Sequence, residues 1–421
     1  MLRNIASGIE KYAVPLRGNN DLDPLINNID QARIVLLGEA SHGTSEFYQV
    51  RAEISKKLIT EKGFKIIAVE GDWPASQSLN RYIKGHDNEH QSAAEVLRAF
   101  HRWPTWMWAN EEIADFAEWL KEYNRNKPET EMVGFYGIDV YSLWESMEEV
   151  INHLEKTNSP DLELARKAFS CFEPFNRTPE KYAVSSAVYS EGCVEEVTKL
   201  LNSIWSKKEY DTYPEESGLS VKINSLVAAN AEKYYSTMIL NDENSWNIRD
   251  YHMVEALNEV MNFYGEGSKA IVWEHNTHIG DARATDMADA GMINVGQVVR
   301  EQHPPGHVYA VGFGTHRGTV IASEQWGFDI EEKIVPEAQL GSWEDLLHRT
   351  GAYNKMLFFN EENRHLFTRR IGHRAIGVVY NPEYEQYGNY VPSVLSERYD
   401  AFVFIDQTKA LRPLKLSVVS L

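Results

Sequence analysis

From Ala32 onward, short runs of aliphatic and β-branched residues alternate with longer stretches whose apolar positions recur at helical spacing. Arg33–Leu37 reads as a buried strand. The stretch after it places Phe47, Val50, Ile54, Leu58 and Ile59 on one helical face, with Thr44 or Ser45 positioned to cap the helix and Gly63 to end it. Lys65–Val69 is the next strand, and Trp73-Pro74 opens another helix, since a proline in the first turn removes no hydrogen bond. A helix over Glu111–Tyr123 and a strand over Met132–Ile138 continue the alternation. Later strands are expected at Ala270–Trp273, His307–Val311, Met356–Phe359, Ala375–Val379 and Phe402–Ile405.

Helices between successive strands predict an α/β fold with a mostly parallel sheet and flanking helices. Between Ser142 and Gly265 the pattern is helical only, including Leu219–Leu240 and Trp246–Tyr264. Residues 1–141 and 266–421 are therefore expected to form two parts of one core. Residues 142–265 would be an all-helical insertion, or lid, covering the C-terminal edge of the strands.

In such sheets ligands sit outside the carboxyl ends of the strands. The first strand runs into Gly38-Glu39-Ala40-Ser41-His42-Gly43, the second into Glu70-Gly71-Asp72-Trp73 and the third into Asp139-Val140-Tyr141. Two later strands run into Glu274-His275-Asn276-Thr277-His278 and Gly312-Phe313-Gly314-Thr315-His316-Arg317. Any one polar strand end is ordinary loop chemistry, but five on one rim supply what general-base hydrolysis needs. These needs are an imidazole titrating near neutrality, carboxylates to orient it, and a cation for a developing oxyanion. Arg51, on the first helix, is the candidate cation.

Other motifs are rejected. Gly38 to Gly43 is one residue too long for a Gly-x-Ser-x-Gly nucleophile elbow, which leaves Ser41 as a turn-former or cap. Gly312, Gly314 and Gly318 miss the dinucleotide fingerprint by one residue. His275-x-x-His278 resembles a pair of metal ligands but lacks the glutamate of the His-Glu-x-x-His helix, so no cofactor is required although a divalent metal is possible.

Composition narrows the partners. The 421 residues carry a formal charge of -20, which repels nucleic acid and anionic lipid at long range. No apolar run approaches the roughly 20 residues of a membrane span, and Glu10 and Lys11 stand where a signal peptide would be apolar. With only Cys171 and Cys193 present, too few for a disulfide framework though able to pair, a cytoplasmic location is expected. Eleven Trp, 21 Tyr and 16 Phe exceed the needs of a core, and Trp103, Trp106 and Trp108 could clamp an apolar ring. The expected partner is a small-molecule ester; oligomeric state is not legible.

The segments Leu36–Thr44, Arg51, Val69–Trp73 and His275–His278 together resemble the motifs of the erythromycin esterase family, including relatives labelled succinoglycan biosynthesis protein. That resemblance implies hydrolysis of a macrolactone ester, and hence macrolide antibiotic resistance, by water activated on His42, with no acyl-enzyme. Glu39, Glu70, Arg51, His275 and His278 would share the catalytic site, and Asp72, Trp73, Trp106, Asp139, Tyr141, His316 and Arg317 would bind substrate. Two alternatives stay open: a metal-dependent hydrolase of a peptide or other ester, and a non-catalytic protein that ligates a cofactor through the same histidines.

Overall fold

A computed structural model describes residues 2–189 and 192–415. Its strands are β1 (Val14–Pro15), β2 (Ile34–Leu37), β3 (Ile66–Val69), β4 (Gly134–Gly137), β5 (Ala270–Trp273), β6 (Val308–Ser323), β7 (Ile330–Val335), β8 (Lys355–Phe358), β9 (Arg370–Arg374), β10 (Tyr390–Val394) and β11 (Ala401–Thr408). Every residue of β2, β3 and β5 is buried, as continuous aliphatic runs require when both sheet faces are covered. Val35 and Leu37 pack with Phe47 and Ile54 of the helix Ser45–Lys62. Ile34 and Leu36 face the opposite way, toward Val254 and Leu257 of the helix Asp242–Tyr264. Each such side chain contributes about 1.5–3 kcal/mol by leaving water.

The central sheet has nine strands in the order β1-β8-β11-β6-β2-β5-β3-β4, with β7 attached to β6. From β11 to β4 the neighbours run parallel. By contrast β1, β8 and β7 join antiparallel. The sheet is thus mixed rather than mostly parallel. The cause is clearest at β7, which returns through a hairpin, and a hairpin makes only antiparallel pairs.

The expected loop after His307–Val311 is the other correction. β6 continues for 16 residues, and Gly312 to Arg317 are strand, paired with Phe402 to Gln407 of β11. The strand expected at Ala375–Val379 is displaced to β9, which pairs with β10; Ile376 and Val379 make only isolated bridges. The helix Leu2–Tyr12 and β1 were not anticipated.

Between β4 and β5 the described residues form helices and no strand. The longest are Glu216–Thr237 and Asp242–Tyr264. Here Cys171 and Cys193 form a disulfide. Bonded cysteines belong to oxidising surroundings more often than to a reducing compartment, so the cysteine count no longer speaks for the cytoplasm. Among the described residues no helix is long and apolar enough to cross a membrane.

Candidate active site

The carboxyl ends of β2, β3 and β4 open on one cavity of about 120 Å³ whose walls include His42, Glu70, Asp72, Asp139, Tyr141 and Arg249. After β2 the chain turns through Gly38 to Gly43, where a side chain on Gly38 would run into the Asn276 amide and one on Gly43 into the Ile321 carbonyl. The Ser41 and Thr44 hydroxyls bond each other and tie the turn. Thr44 occupies the N-cap of the next helix, without a side-chain cap bond.

His42 places Nδ1 at 2.9 Å from Glu39 Oε1. The other Glu39 oxygen accepts from Arg51 Nη2 at 2.5 Å. A proton on Nδ1 donated to Glu39 leaves Nε2 as the free lone pair, which faces Glu70 Oε1 at 4.0 Å, too far for a direct bond. Burial pushes the His42 pKa down, but Glu70 and Glu39 outweigh it and the net value lies above that of an ordinary histidine.

Glu70 is held from three sides. Arg249 Nη2 donates to Oε1 at 2.8 Å, the His275 backbone N–H donates to Oε2 at 2.9 Å, and His278 Nε2 lies 3.5 Å from Oε1. Burial alone would raise the Glu70 pKa, but His278, His42 and Arg249 hold it far below the usual carboxylate range. His278 presents Nδ1 to Asp250 at 2.9 Å, and Trp246 stacks on its ring at 4.5 Å between centroids. The His275 ring lies 4.8 Å from that of His42, and burial followed by the His42 charge keeps it well below the ordinary pKa.

Arg249 is the residue that sequence reasoning missed. It comes from the helix Asp242–Tyr264, donates to Asp139 at 2.7 and 2.9 Å, and approaches His278 Nε2 at 3.1 Å. The only signal was an Arg249-Asp250 pair within the helix expected over Trp246–Tyr264. Glu274 was read as part of the polar end of β5 but given no role: it is fully buried, and neither carboxylate oxygen has a partner. Burial and then Glu70 raise its pKa well above the usual range.

The structure thus brings Glu39, His42, Glu70, His275 and His278 together, with Asp72, Asp139 and Tyr141 in the cavity wall. Asp72 is paired with Arg102. Arg51 lies elsewhere than expected: it is wholly buried behind Glu39, between the rings of Tyr48 and Trp273, and does not reach the cavity. Trp73 stacks on Tyr136 beneath the site, and Trp106 is buried in the core, whereas Trp108 lines the cavity. His316 stacks on His348 and Arg317 pairs with Glu337, both away from the cavity, because the segment carrying them is strand.

The donor set fits a metal poorly. Both nitrogens of His278 already face partners, and among the described residues no three histidine, cysteine, aspartate or glutamate side chains are placed to hold an ion.

Beyond Arg102, Tyr141 and Trp326 lies a second, larger cavity of about 540 Å³, walled also by Trp103, Trp144, Tyr234, Tyr235 and Met238. Those three residues belong to both cavities.

An Escherichia coli protein named erythromycin esterase type II is 24% identical over 364 residues, covering 81% of this chain and 84% of its own. A crystal structure of a succinoglycan biosynthesis protein superposes with a TM-score of 0.78 at 21% identity, covering 98% of both chains. An erythromycin esterase mutant in its open conformation gives a TM-score of 0.67 at 15% identity over 96% of both. The profile of the erythromycin esterase family matches residues 59–408, a stretch that holds Glu70, Arg249, His275 and His278. The chain belongs to the erythromycin esterase family.

Proposed function

We propose that this protein hydrolyses a carboxylic ester by direct attack of water, with His42 as the general base. The observation that carries the reading is the orientation of His42. Nδ1 is committed to Glu39, and Nε2 is directed into the cavity opposite Glu70. A water bonded to both would be deprotonated by Nε2 as it attacks the ester carbon. Arg249, whose Nη1 donates only to His278, has an N–H to offer the oxyanion, the role expected of Arg51. The imidazolium, stabilised by Glu39 and Glu70, then returns the proton to the leaving alkoxide.

The adjoining aromatic cavity supports a substrate with a bulky apolar part, the ester lying in the small cavity and the remainder among Trp103, Trp144 and Tyr235. The Escherichia coli relative's name makes a macrolactone one candidate within that class. The mechanism draws on no metal, and chelation with EDTA should leave the rate unchanged. The test is a hydrolysis screen of macrolactones and simple esters with wild type and His42→Ala. The variant should lose about 10²–10⁴-fold in kcat, as removal of a general base does. Retained activity would remove His42 from the reaction, and an acyl adduct trapped on Ser41 would replace water with a serine nucleophile.

A further inference from the structure

Behind the cavity, on the side of β2 facing β6, lies a fully buried polar chain that the proposed reaction does not use. Glu344, on the helix Trp343–Arg349, faces His373 Nδ1 at 2.5 Å. His373, on β9, places Nε2 at 3.2 Å from the Asn276 amide nitrogen. Glu344 and Asn276 have no exposed surface, and His373 has 1%. Sequestering a carboxylate, an imidazole and an amide costs more than aliphatic packing of the same volume, so stability alone does not account for the chain.

Both polar atoms of the Asn276 side chain are engaged. Its side-chain NH₂ donates to the Phe313 carbonyl at 2.7 Å and to His373, while its Oδ1 accepts from the Phe313 N–H at 3.2 Å. Its backbone N–H donates to the Glu39 carbonyl at 2.9 Å, and its backbone carbonyl accepts from Arg398 at 3.1 Å. The amide also fills the space that the missing side chain of Gly38 leaves open. One residue thus joins the carboxyl ends of β2 and β5 to the middle of β6. With Nδ1–H donated to Glu344, only Nε2 of His373 is left to accept, and it reinforces the amide orientation that the two bonds to Phe313 set. Burial pushes the His373 pKa down despite Glu344, which keeps that acceptor available.

We propose that Glu344, His373 and Asn276 form a positioning relay that holds the Glu39–His42 turn at its working distance from the His275–His278 turn. The proposal rests on the reading of His42 as base. None of the three touches the cavity, so they act through Glu39 and His42.

The groups facing His42 are Glu39 and Arg51 behind it, Glu70 from β3, His275 from β5 and Arg249 from the helix Asp242–Tyr264, with Asp72, Asp139 and Arg102 farther along the wall. His373 is faced by Glu344, Arg374 and Arg398. Loosening the relay should let Glu39 drift from His42 and leave the second set of charges intact.

The experiment is an NMR titration of the His42 imidazole in wild type, Asn276→Ala and His373→Leu, the resonance assigned by its loss in His42→Ala, with kcat, KM and melting temperature on the same proteins. His373→Leu removes one bond and leaves the other contacts of Asn276 in place, so it decides the matter if Asn276→Ala does not fold. The relay predicts a His42 titration moved toward that of an ordinary histidine, kcat lower by about 10-fold or more, as for other residues that orient a ligand or base from behind, and KM within about twofold. An unchanged titration in folded His373→Leu, with or without a lower melting temperature, overturns the relay. Activity retained by His42→Ala would instead defeat the base assignment and leave the titration to judge the relay.

Discussion

Arg249 donates to Glu70 and Asp139 and approaches His278, so its removal strips three buried groups of a donor at once. Arg249→Met should lower kcat by about 10²–10³-fold if the guanidinium faces the oxyanion. Arg51→Met should act differently. It leaves the Glu39 carboxylate, 3% exposed, without its cation, at a cost of about 3–5 kcal/mol in urea unfolding. With His42 as the proposed base, the pH dependence of activity should follow it. A neutral base works above its own pKa, so kcat/KM should climb through an apparent value higher than the ordinary 6.5 and plateau beyond it.

The two histidines contribute opposite slopes to stability. His42, raised in the folded state, adds stability that is complete below 6.5 and is lost as pH rises through its folded value. His275, depressed, adds stability above 6.5 that is lost as pH falls.

At the scale of elements, the helices Glu216–Thr237 and Asp242–Tyr264 meet through Asn230 and His252, at 3.1 Å. Burial lowers His252 to a pKa of about 4. Its stabilisation is present above 6.5 and should vanish between 6.5 and about 4, in all about 3 kcal/mol at ~1.4 kcal/mol per unit. Chemical denaturation of His252→Gln across that window should show a shallower loss than wild type; an equal slope would assign the acid sensitivity elsewhere.

Elements were legible in proportion to how simply their residues encode burial. β2, β3 and β5 are aliphatic runs closed by polar residues, so they were read nearly to the residue, together with Glu39, His42, Glu70, His275 and His278 at their ends. β6 was cut short because Gly312, Gly314, His316 and Arg317 look like loop residues, although in the fold the glycines give way to the rings of Tyr399 and Phe402. Arg249 was invisible because only packing of a distant helix over the strand ends brings it to the site. Arg51 had the right neighbour and the wrong side of it, since helical spacing gives an angle but not which face of Glu39 an arginine meets.

Across the molecule, the disulfide joins the helix Leu162–Phe172 to the start of Val194–Trp205, 22 residues apart. Between them lie Arg177, Pro179 and Glu180, part of the larger cavity's wall. A closed loop of that length stabilises by about 3 kcal/mol through the unfolded chain. Paired Cys171→Ser and Cys193→Ser substitutions should lower the melting temperature and raise KM for bulky esters, with little effect on small ones. A KM unchanged across ester size would show that this wall does not meet the substrate.

The length of β6 has a further consequence. Its far end leaves the sheet's centre and folds back as β7, and the tip between them carries Trp326, 57% exposed and against Trp103 at 4.5 Å. If substrate enters as proposed, the ribbon would let selectivity change without altering the chemistry. A change at the tip should reshape the mouth shared by both cavities and leave the buried ends of β2, β3 and β5 undisturbed. Trp326→Ala should weaken binding of large esters and spare kcat for small ones, and the effects of Trp326→Ala and Arg51→Met on kcat/KM for a large ester should add in the double variant. A strong departure from additivity would mean that the tip and the base answer to each other after all.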